Sequence, residues 1–469
     1  MANTYDAIII GTGQAGPSLA VRLANAGKRV AIIERKFFGG TCVNTGCIPT
    51  KAMVASAYAA HMARRAAEYG VNVAGPVTVD MKQVKARKDA ISGKSRTGVE
   101  SWLKSTKNLT VYEGQARFES AHEISLGQER LRGEQIFINV GGRAIVPPMP
   151  GIDQTPYLTN SSMMGVDFLP RHLIIVGGSY VGLEFGQMFR RFGSEVTIVE
   201  MASRLIARED EDVSATVREI LEAEGVHVRL NAQCIALSKQ GDNIAVSVDC
   251  TNGAPEVLGS HLLLATGRRP NTDDLGLDKA GVETGKHGYI VVDEQLRTNV
   301  PGIWALGDCN GKGAFTHTSY NDFEIVAGNL LDGDSRRLSD RIQAYALYID
   351  PPLGRAGMTD AQVLTSGRRA LVGKRPMTRV ARAVEKGETQ GFMKICVDAD
   401  SKQILGAAIL GTGGDEAIHC ILDVMYTKVP YTTLQRAVNI HPTVSELVPT
   451  ILGELQPLTG QKSRTESAA

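Results

Sequence analysis

The chain has 469 residues, 43% hydrophobic and 22% charged, a globular balance with length enough for two to four domains. Its net charge of +1, with Lys and Arg scattered among Asp and Glu, gives no basic field for nucleic acid or an anionic membrane surface. Seven irregularly spaced cysteines argue against a disulfide framework, so five are expected to be reduced and buried. With no leader or bilayer-length apolar stretch, the expected location is cytoplasmic.

In chain order, a first strand over Asp6–Ile10 runs into Gly11-Thr12-Gly13-Gln14-Ala15-Gly16. A helical pattern through Leu19, Leu23 and Ala26 follows, then a second strand from Arg29 to Glu34. This is a dinucleotide-binding unit: Gly11 permits the tight turn, Gly13 lets a pyrophosphate approach the backbone, and Gly16 allows close helix–strand packing. Glu34 sits where an acid takes a ribose hydroxyl.

Directly behind it comes the stretch from Gly39 to Lys51, with Cys42 and Cys47 five positions apart. In a regular helix such positions point in different directions, whereas a disulfide needs Cα atoms within roughly 4.4–6.8 Å. The pair can bridge only across an irregular turn, which Gly46 can supply, with Pro49 in the first turn of the helix that carries Lys51. A helix N-terminus favours a thiolate, the nucleophile of disulfide exchange. On spacing alone, two free core cysteines are an equal alternative.

Helical tracts are expected from Thr50 to Tyr69 and from Val79 to Lys104, then strands at Leu109–Tyr112, Ala116–Phe118 and Gln135–Val140. Pro147-Pro148-Met149-Pro150-Gly151 reads as a linker. A second dinucleotide unit follows: a strand over Leu173–Val176, the turn Gly177-Gly178-Ser179-Tyr180-Val181-Gly182, a helix through Phe192, and a strand ending at Glu200. Ser179 in the middle position narrows the approach to the backbone. Glu200 should accept a ribose 2′-hydroxyl and repel a 2′-phosphate, so NADH is expected; Arg204 and Arg208 lie near enough to keep NADPH possible. Two such units beside a cysteine pair point to one tightly held and one exchanging cofactor. Amphipathic strands and helices begin near Asp340, and the polar tail after Pro457 is expected to be disordered.

From Tyr5 to about Pro457 the chain resembles the flavoprotein disulfide reductases, the family of glutathione reductase, dihydrolipoamide dehydrogenase and mercuric reductase. The Gly39–Lys51 stretch resembles the family's active-site signature, Gly302-Ile303-Trp304-Ala305-Leu306-Gly307-Asp308 its second FAD-contacting segment, and His441-Pro442-Thr443-Val444-Ser445-Glu446 its His–Glu motif.

The fold this implies is α/β, with two Rossmann-like dinucleotide-binding domains and a C-terminal α+β dimerisation domain. The FAD-binding domain would take residues 1–150 and 271–339, the NAD(P) domain 151–270, the interface domain 340–457 and the tail 458–469. FAD would be held by Gly11, Gly13, Gly16, Glu34, Thr41, Lys51, Ala116, Asp308 and Thr316, with Asp308 on a ribitol hydroxyl. The nicotinamide nucleotide would be held by Gly177, Tyr180, Val181, Gly182, Glu184, Glu200 and Gly267, with Tyr180 covering the nicotinamide pocket and Glu184 pairing with Lys51. The resemblance makes Cys47 the thiol against the flavin and Cys42 the thiol that meets substrate. His441, oriented by Glu446, would complete the site of the other subunit in a homodimer.

The implied function is passage of electrons between nicotinamide, FAD, a Cys42–Cys47 disulfide and a small disulfide, thiol or oxidant, with no resident metal. Mercuric reductases carry a vicinal cysteine pair in the tail and commonly an extra N-terminal domain; neither is found here, and the acid at Glu200 argues against an NADPH enzyme of the glutathione reductase type, whose substrate-mouth arginines have no assigned counterparts here. The segments Phe315–Asp322 and Pro351–Gly354 look more like the mercuric reductase-like and hypothiocyanous acid reductase-like branch. The alternatives are a dihydrolipoamide dehydrogenase, a mercuric reductase-like enzyme, or a docking subunit for a lipoyl-bearing complex.

Overall fold

A computed structural model describes residues 3–249 and 255–459. Residues 460–469, most of the tail expected to be disordered, lie outside the described residues. The chain forms two compact units: residues 1–148, 156–169 and 262–341, and residues 149–155, 170–261 and 342–469.

The first unit is built on β1 (Asn3–Ile10), α1 (Ala15–Asn25), β2 (Val30–Glu34), α2 (Gly40–Asn44), α3 (Cys47–Arg65), α4 (Met81–Ser105), β3 (Leu109–Glu113), β4 (Ala116–Ser120), β5 (Glu123–Leu126) and β6 (Glu129–Ile138). Its seven-stranded sheet has the order β3-β2-β1-β6-β5-β4, with strand Ile303–Ala305 also paired to β6. The pairs among β3, β2, β1 and β6 are parallel and those among β6, β5 and β4 antiparallel. β1 is buried on both faces, as a parallel central strand must be: Ala7 and Ile9 join Leu19 and Leu23 of α1, whereas Ile8 and Ile10 join Phe118, Ile124 and Ile136. The glycine turn therefore emerges at the carboxyl end of a rigid strand, where ligands bind in such sheets. α4 begins at Met81, two residues after the Val79 start expected, directly behind Asp80, whose carboxylate accepts the Lys82 and Gln83 amides as an N-cap.

The second unit holds a parallel set, His172–Val176, Glu195–Val199 and His227–Arg229, with helix Tyr180–Phe192 following its first strand. It also contains a six-stranded sheet ordered Ala344–Leu347, Leu353–Gly357, Ile404–Leu410, Phe392–Asp398, Ala370–Pro376 and Gln456–Pro457, whose pairs are antiparallel. Helix Gly414–Thr427 packs on it through Ala417, Ile418 and Ile421. Charges are buried here too, and they are paired: the Lys394 ammonium lies 3.0 Å from Asp210, 2.9 Å from Asp212 and 2.7 Å from Asp360. Among the described residues, no helix is long and apolar enough to cross a membrane.

Cys309 and Cys396 are free and buried, whereas Cys420 is only half-buried, short of the burial expected for it. Cys250 lies outside the described residues, as does the side chain of Cys234. Leu19 is fully buried between α1 and the sheet; Leu19→Ala should cost about 2–5 kcal/mol, read as a lower urea midpoint for loss of helical circular dichroism.

Candidate active site

Two glycine turns and two pinned acids come first. Gly11 has a φ of +104° and a Cβ there would lie 2.3 Å from the Asn139 carbonyl oxygen, so no other residue fits. Gly16 is closed in the same way by the Gly11 carbonyl, 2.3 Å from where its Cβ would be. Gly13 differs: its nearest protein atom would be 3.4 Å away, so its bareness serves the cleft in front of it. Glu34, at the end of β2, is fixed by the Thr12 and Lys36 amides at 3.1 and 2.9 Å and by the Thr12 hydroxyl at 2.5 Å.

The second unit repeats this device. The Glu200 carboxylate accepts the Gly178 amide at 2.6 Å and the Ala202 amide at 2.8 Å. A Cβ on Gly182 would fall 2.0 Å from the Gly177 carbonyl oxygen, which fixes glycine at that position. Ser179, Tyr180 and Val181 form the turn into helix Tyr180–Phe192, whose N-terminus no side chain caps. Glu184 is buried in that helix and accepts the Tyr348 amide at 3.1 Å. Gly267, in the first unit, accepts the Ile145 amide at 3.0 Å.

Cys42 lies within α2, a single turn that Asn44 closes by donating to the Phe38 and Gly40 carbonyls, both at 2.9 Å. Thr45 and Gly46 break the helix, and α3 restarts at Cys47 itself, earlier than the Thr50 start expected. A Cβ on Gly46 would sit 2.9 Å from the Thr41 carbonyl oxygen, so only glycine lets the chain fold back closely enough for the two sulfurs to meet. Both thiols are reduced, and their side chains are hydrogen-bonded. The bond from Cys42, with help from the Thr316 hydroxyl 3.0 Å away and the Lys51 ammonium, outweighs burial and pulls the Cys47 thiol down to about 6. The same bond to Cys47, reinforced by burial, pushes the Cys42 thiol far above its ordinary range. Near neutral pH the pair is thus a monoanion, with the charge on Cys47 and the proton on Cys42.

Thr316 opens helix Thr316–Ala327, so Cys47 lies at the N-terminus of α3 and beside that of a second helix. Asp308 is partly buried, and burial raises its carboxyl against the opposing pull of Arg268, whose Nε is 3.7 Å away. The preceding Gly307 amide is held by the buried Asp322 at 2.8 Å.

The cleft is lined by Gly11, Gly13, Glu34, Thr41, Ala116 and Arg268, among others. Gln14, the N-cap of α1, makes no side-chain cap to the helix, and the helix N-terminus directly behind the glycine turn suits the pyrophosphate of a dinucleotide. The bare Gly13, the uncapped helix and the pinned Glu34 fit FAD.

Thr12, Asn139 and Arg268 belong to this site but were missed in the sequence. Asn139 donates to the Gly13 carbonyl at 3.0 Å, and Arg268 reaches the Gly142 carbonyl and, at 3.4 Å, the Thr41 hydroxyl. Thr12 occupies a free position of the glycine motif and Asn139 comes from β6's far end, so only the arginine beside Gly267 left a local signal.

His441 and Glu446 form the remaining pair. Imidazole Nδ1 lies 2.9 and 3.1 Å from the two carboxylate oxygens, and the ring is 74% exposed. That leaves Nε2 available for proton transfer.

The thiolate yields a signed prediction. Ultraviolet thiolate absorbance of the reduced protein, measured as wild type minus Cys47→Ser, should appear as pH rises through about 6 and vanish below it, whereas an ordinary thiol ionises near 9.0.

Residues 5–322 match the family described as Pyridine nucleotide-disulphide oxidoreductase, and residues 343–451 match its dimerisation domain. The chain is 37% identical to the probable pyridine nucleotide-disulfide oxidoreductase RclA of Escherichia coli (strain K12), covering 95% of this chain and 98% of that one. It is 34% identical to a mercuric reductase of Streptomyces lividans, covering 94% of each. A solved structure of the HOCl-induced flavoprotein disulfide reductase RclA from Escherichia coli superposes with a TM-score of 0.87 at 36% identity, covering 96% of this chain and 99% of that one. The chain therefore belongs to the pyridine nucleotide-disulfide oxidoreductases, FAD-dependent enzymes that draw electrons from NAD(P)H.

Proposed function

We propose that this enzyme uses NADH to reduce a small oxidant bearing an electrophilic sulfur, through Cys42 and Cys47. The observation that carries the reading is the geometry of the pair: two free thiols hydrogen-bonded across the Gly46 turn, with the Cys47 sulfur 3.0 Å from the Thr316 hydroxyl. The bond between the thiols lowers Cys47 and raises Cys42. FAD, when bound, supplies the two-electron link between NADH and the disulfide.

On the protein side, the hydride equivalent from NADH leaves the Cys42–Cys47 disulfide as one thiol and one thiolate, with the proton on Cys42, and NAD⁺ leaves. Cys42 gives its proton to His441 of the partner subunit and attacks the substrate sulfur, expelling its leaving group, which takes that proton from the imidazolium. The Cys47 thiolate then attacks the Cys42 sulfur, releasing the reduced substrate and re-forming the disulfide. Glu446 at 2.9 Å orients the imidazole for that transfer. Lys51 supports the Cys47 thiolate, and its ion pairing with Glu184 belongs to the same proposal.

NADH is favoured because the pinned Glu200 carboxylate would repel a 2′-phosphate. A small oxidant is favoured because the Escherichia coli relative is described as HOCl-induced. Dihydrolipoyl dehydrogenase is the second reading, since one from Thermus scotoductus is 31% identical. The homodimer of the proposal has support in the matched dimerisation domain and in Val438 and Ile440, exposed at 101% and 80% beside His441. Free thiols at Cys309, Cys396 and Cys420 suit a reducing cytoplasm. The domain boundaries stated from sequence belong to the same proposal.

Steady-state assays with hypothiocyanite, glutathione disulfide, Hg(II) and the lipoamide pair decide the substrate class: hypothiocyanite with NADH should turn over fastest, and faster oxidation of dihydrolipoamide by NAD⁺ would overturn the reading. His441→Ala should lower acceptor turnover by about 10²–10⁴-fold while NADH still bleaches the flavin. Ile440→Glu should convert dimer to monomer in sedimentation and abolish acceptor turnover with it.

A further inference from the structure

The second unit contains a hydrogen-bonded chain that the redox chemistry described so far does not use. Tyr180, at the head of its helix, meets Tyr345 edge to face, with ring centroids 5.6 Å apart and planes at 82°. The two side chains are also hydrogen-bonded. Tyr345 lies on strand Ala344–Leu347 and donates its hydroxyl to the carboxylate of Glu209. Glu209 is 2% exposed and pairs with Arg355, whose Nε is 3.1 Å away; Arg355 is 1% exposed and also reaches Asp210 at 2.8 Å.

The segment that delivers Glu209 starts at the nucleotide turn. The Ile206 amide donates to the Gly178 carbonyl at 2.8 Å, and the Glu209 amide donates to the Ile206 carbonyl at 2.7 Å. Ile206 holds a φ of +40°, a left-handed conformation that a β-branched residue adopts only under constraint. Gly178 thus gives its amide to the ribose acid Glu200 and its carbonyl to the turn that places Glu209. Burying a carboxylate and a guanidinium is seldom the most stabilising use of core volume, since an apolar packing of the same size does as well or better. The Tyr345 hydroxyl has one proton and donates it to a fixed carboxylate, so in its hydrogen bond with Tyr180 it is the acceptor. Burial raises both phenols, Tyr180 to about 12, so both remain neutral at working pH.

We infer that Tyr345 is a positioning residue: with Glu209 and Arg355 behind it, it sets the Tyr180 ring and so the binding and release of the nicotinamide nucleotide. The inference rests on the proposed role of Tyr180 as cover of the nicotinamide pocket. The strand that carries Tyr345 lies in the segment matched as the dimerisation domain, so that segment would act in cofactor exchange as well.

The test is a double-mutant cycle on the FAD-loaded dimer with Tyr345→Phe, Tyr180→Ala and the pair. Tyr345→Phe keeps the ring and its volume and removes the hydroxyl. The readouts are the Kd for NAD⁺, the anaerobic rate of flavin bleaching by NADH, and the rate at which the reduced enzyme gives electrons to acceptor. Tyr345→Phe should change the Kd and bleaching rate by about 3–10-fold, the value of one or two hydrogen bonds. The acceptor half-reaction should stay at the wild-type rate, and the change should disappear in the Tyr180→Ala background. An unchanged Kd in Tyr345→Phe, or an equal change in both backgrounds, would overturn the inference while leaving the role of Tyr180 standing. Wild-type NAD⁺ affinity and bleaching in Tyr180→Ala would overturn both.

Discussion

The hydrogen bond from Cys42 to Cys47 sets the electrostatics of the site, and a single backbone position makes it possible. With any side chain at residue 46, the Cβ would press within 2.9 Å of the Thr41 carbonyl oxygen and the two helical pieces would have to part. With glycine there, the break between α2 and α3 brings the sulfurs together at a helix N-terminus. One thiol is stabilised as an anion by its partner, a hydroxyl and a lysine; the other is left protonated for the same reason. An asymmetric pair of this kind divides the labour: one sulfur waits for substrate and the other resolves the product. It also creates a demand for an external base, which the imidazole oriented by Glu446 is suited to meet.

The two dinucleotide turns solve one problem with the same parts. In each, an acid at the end of the second strand is fixed by the amide of a residue in the glycine turn and by the amide two residues beyond the acid. A carboxylate that accepts two backbone donors is held in one orientation before any ribose arrives, which lowers the ordering cost of binding. The turns differ where their tasks differ. The first is buttressed by Thr12, which also accepts the Gly39 amide at 3.1 Å and so links the glycine turn to the cysteine segment. The second is tied through Gly178 and Ile206 to Glu209.

The α/β class was legible because its signals are local: apolar runs of strand length, glycines at fixed offsets and an acid on the next strand end. Cys42, Cys47 and Lys51 were legible as a group because thirteen consecutive residues carry them. Thr12, Asn139 and Arg268 were not, since their value lies in what they touch. Asn139 supports the turn at Gly13 from 126 positions away in sequence. The Tyr345–Glu209–Arg355 chain was invisible for the same reason, because each member reads alone as an ordinary strand or surface residue, and only folding removes them from water. The start of α3 was misjudged by three residues because helix propensity does not report that Gly46 allows Cys47 to begin it.

The most direct test of the account is a thiol count. The oxidised enzyme is treated anaerobically with NADH, quenched in denaturant and titrated with a chromogenic disulfide. The account predicts two more thiols per chain than in the untreated enzyme, and no gain in Cys42→Ser beyond its own starting value. A wild-type count that does not rise, with the flavin nonetheless bleached, would show that electrons from NADH bypass Cys42 and Cys47 and would contradict it.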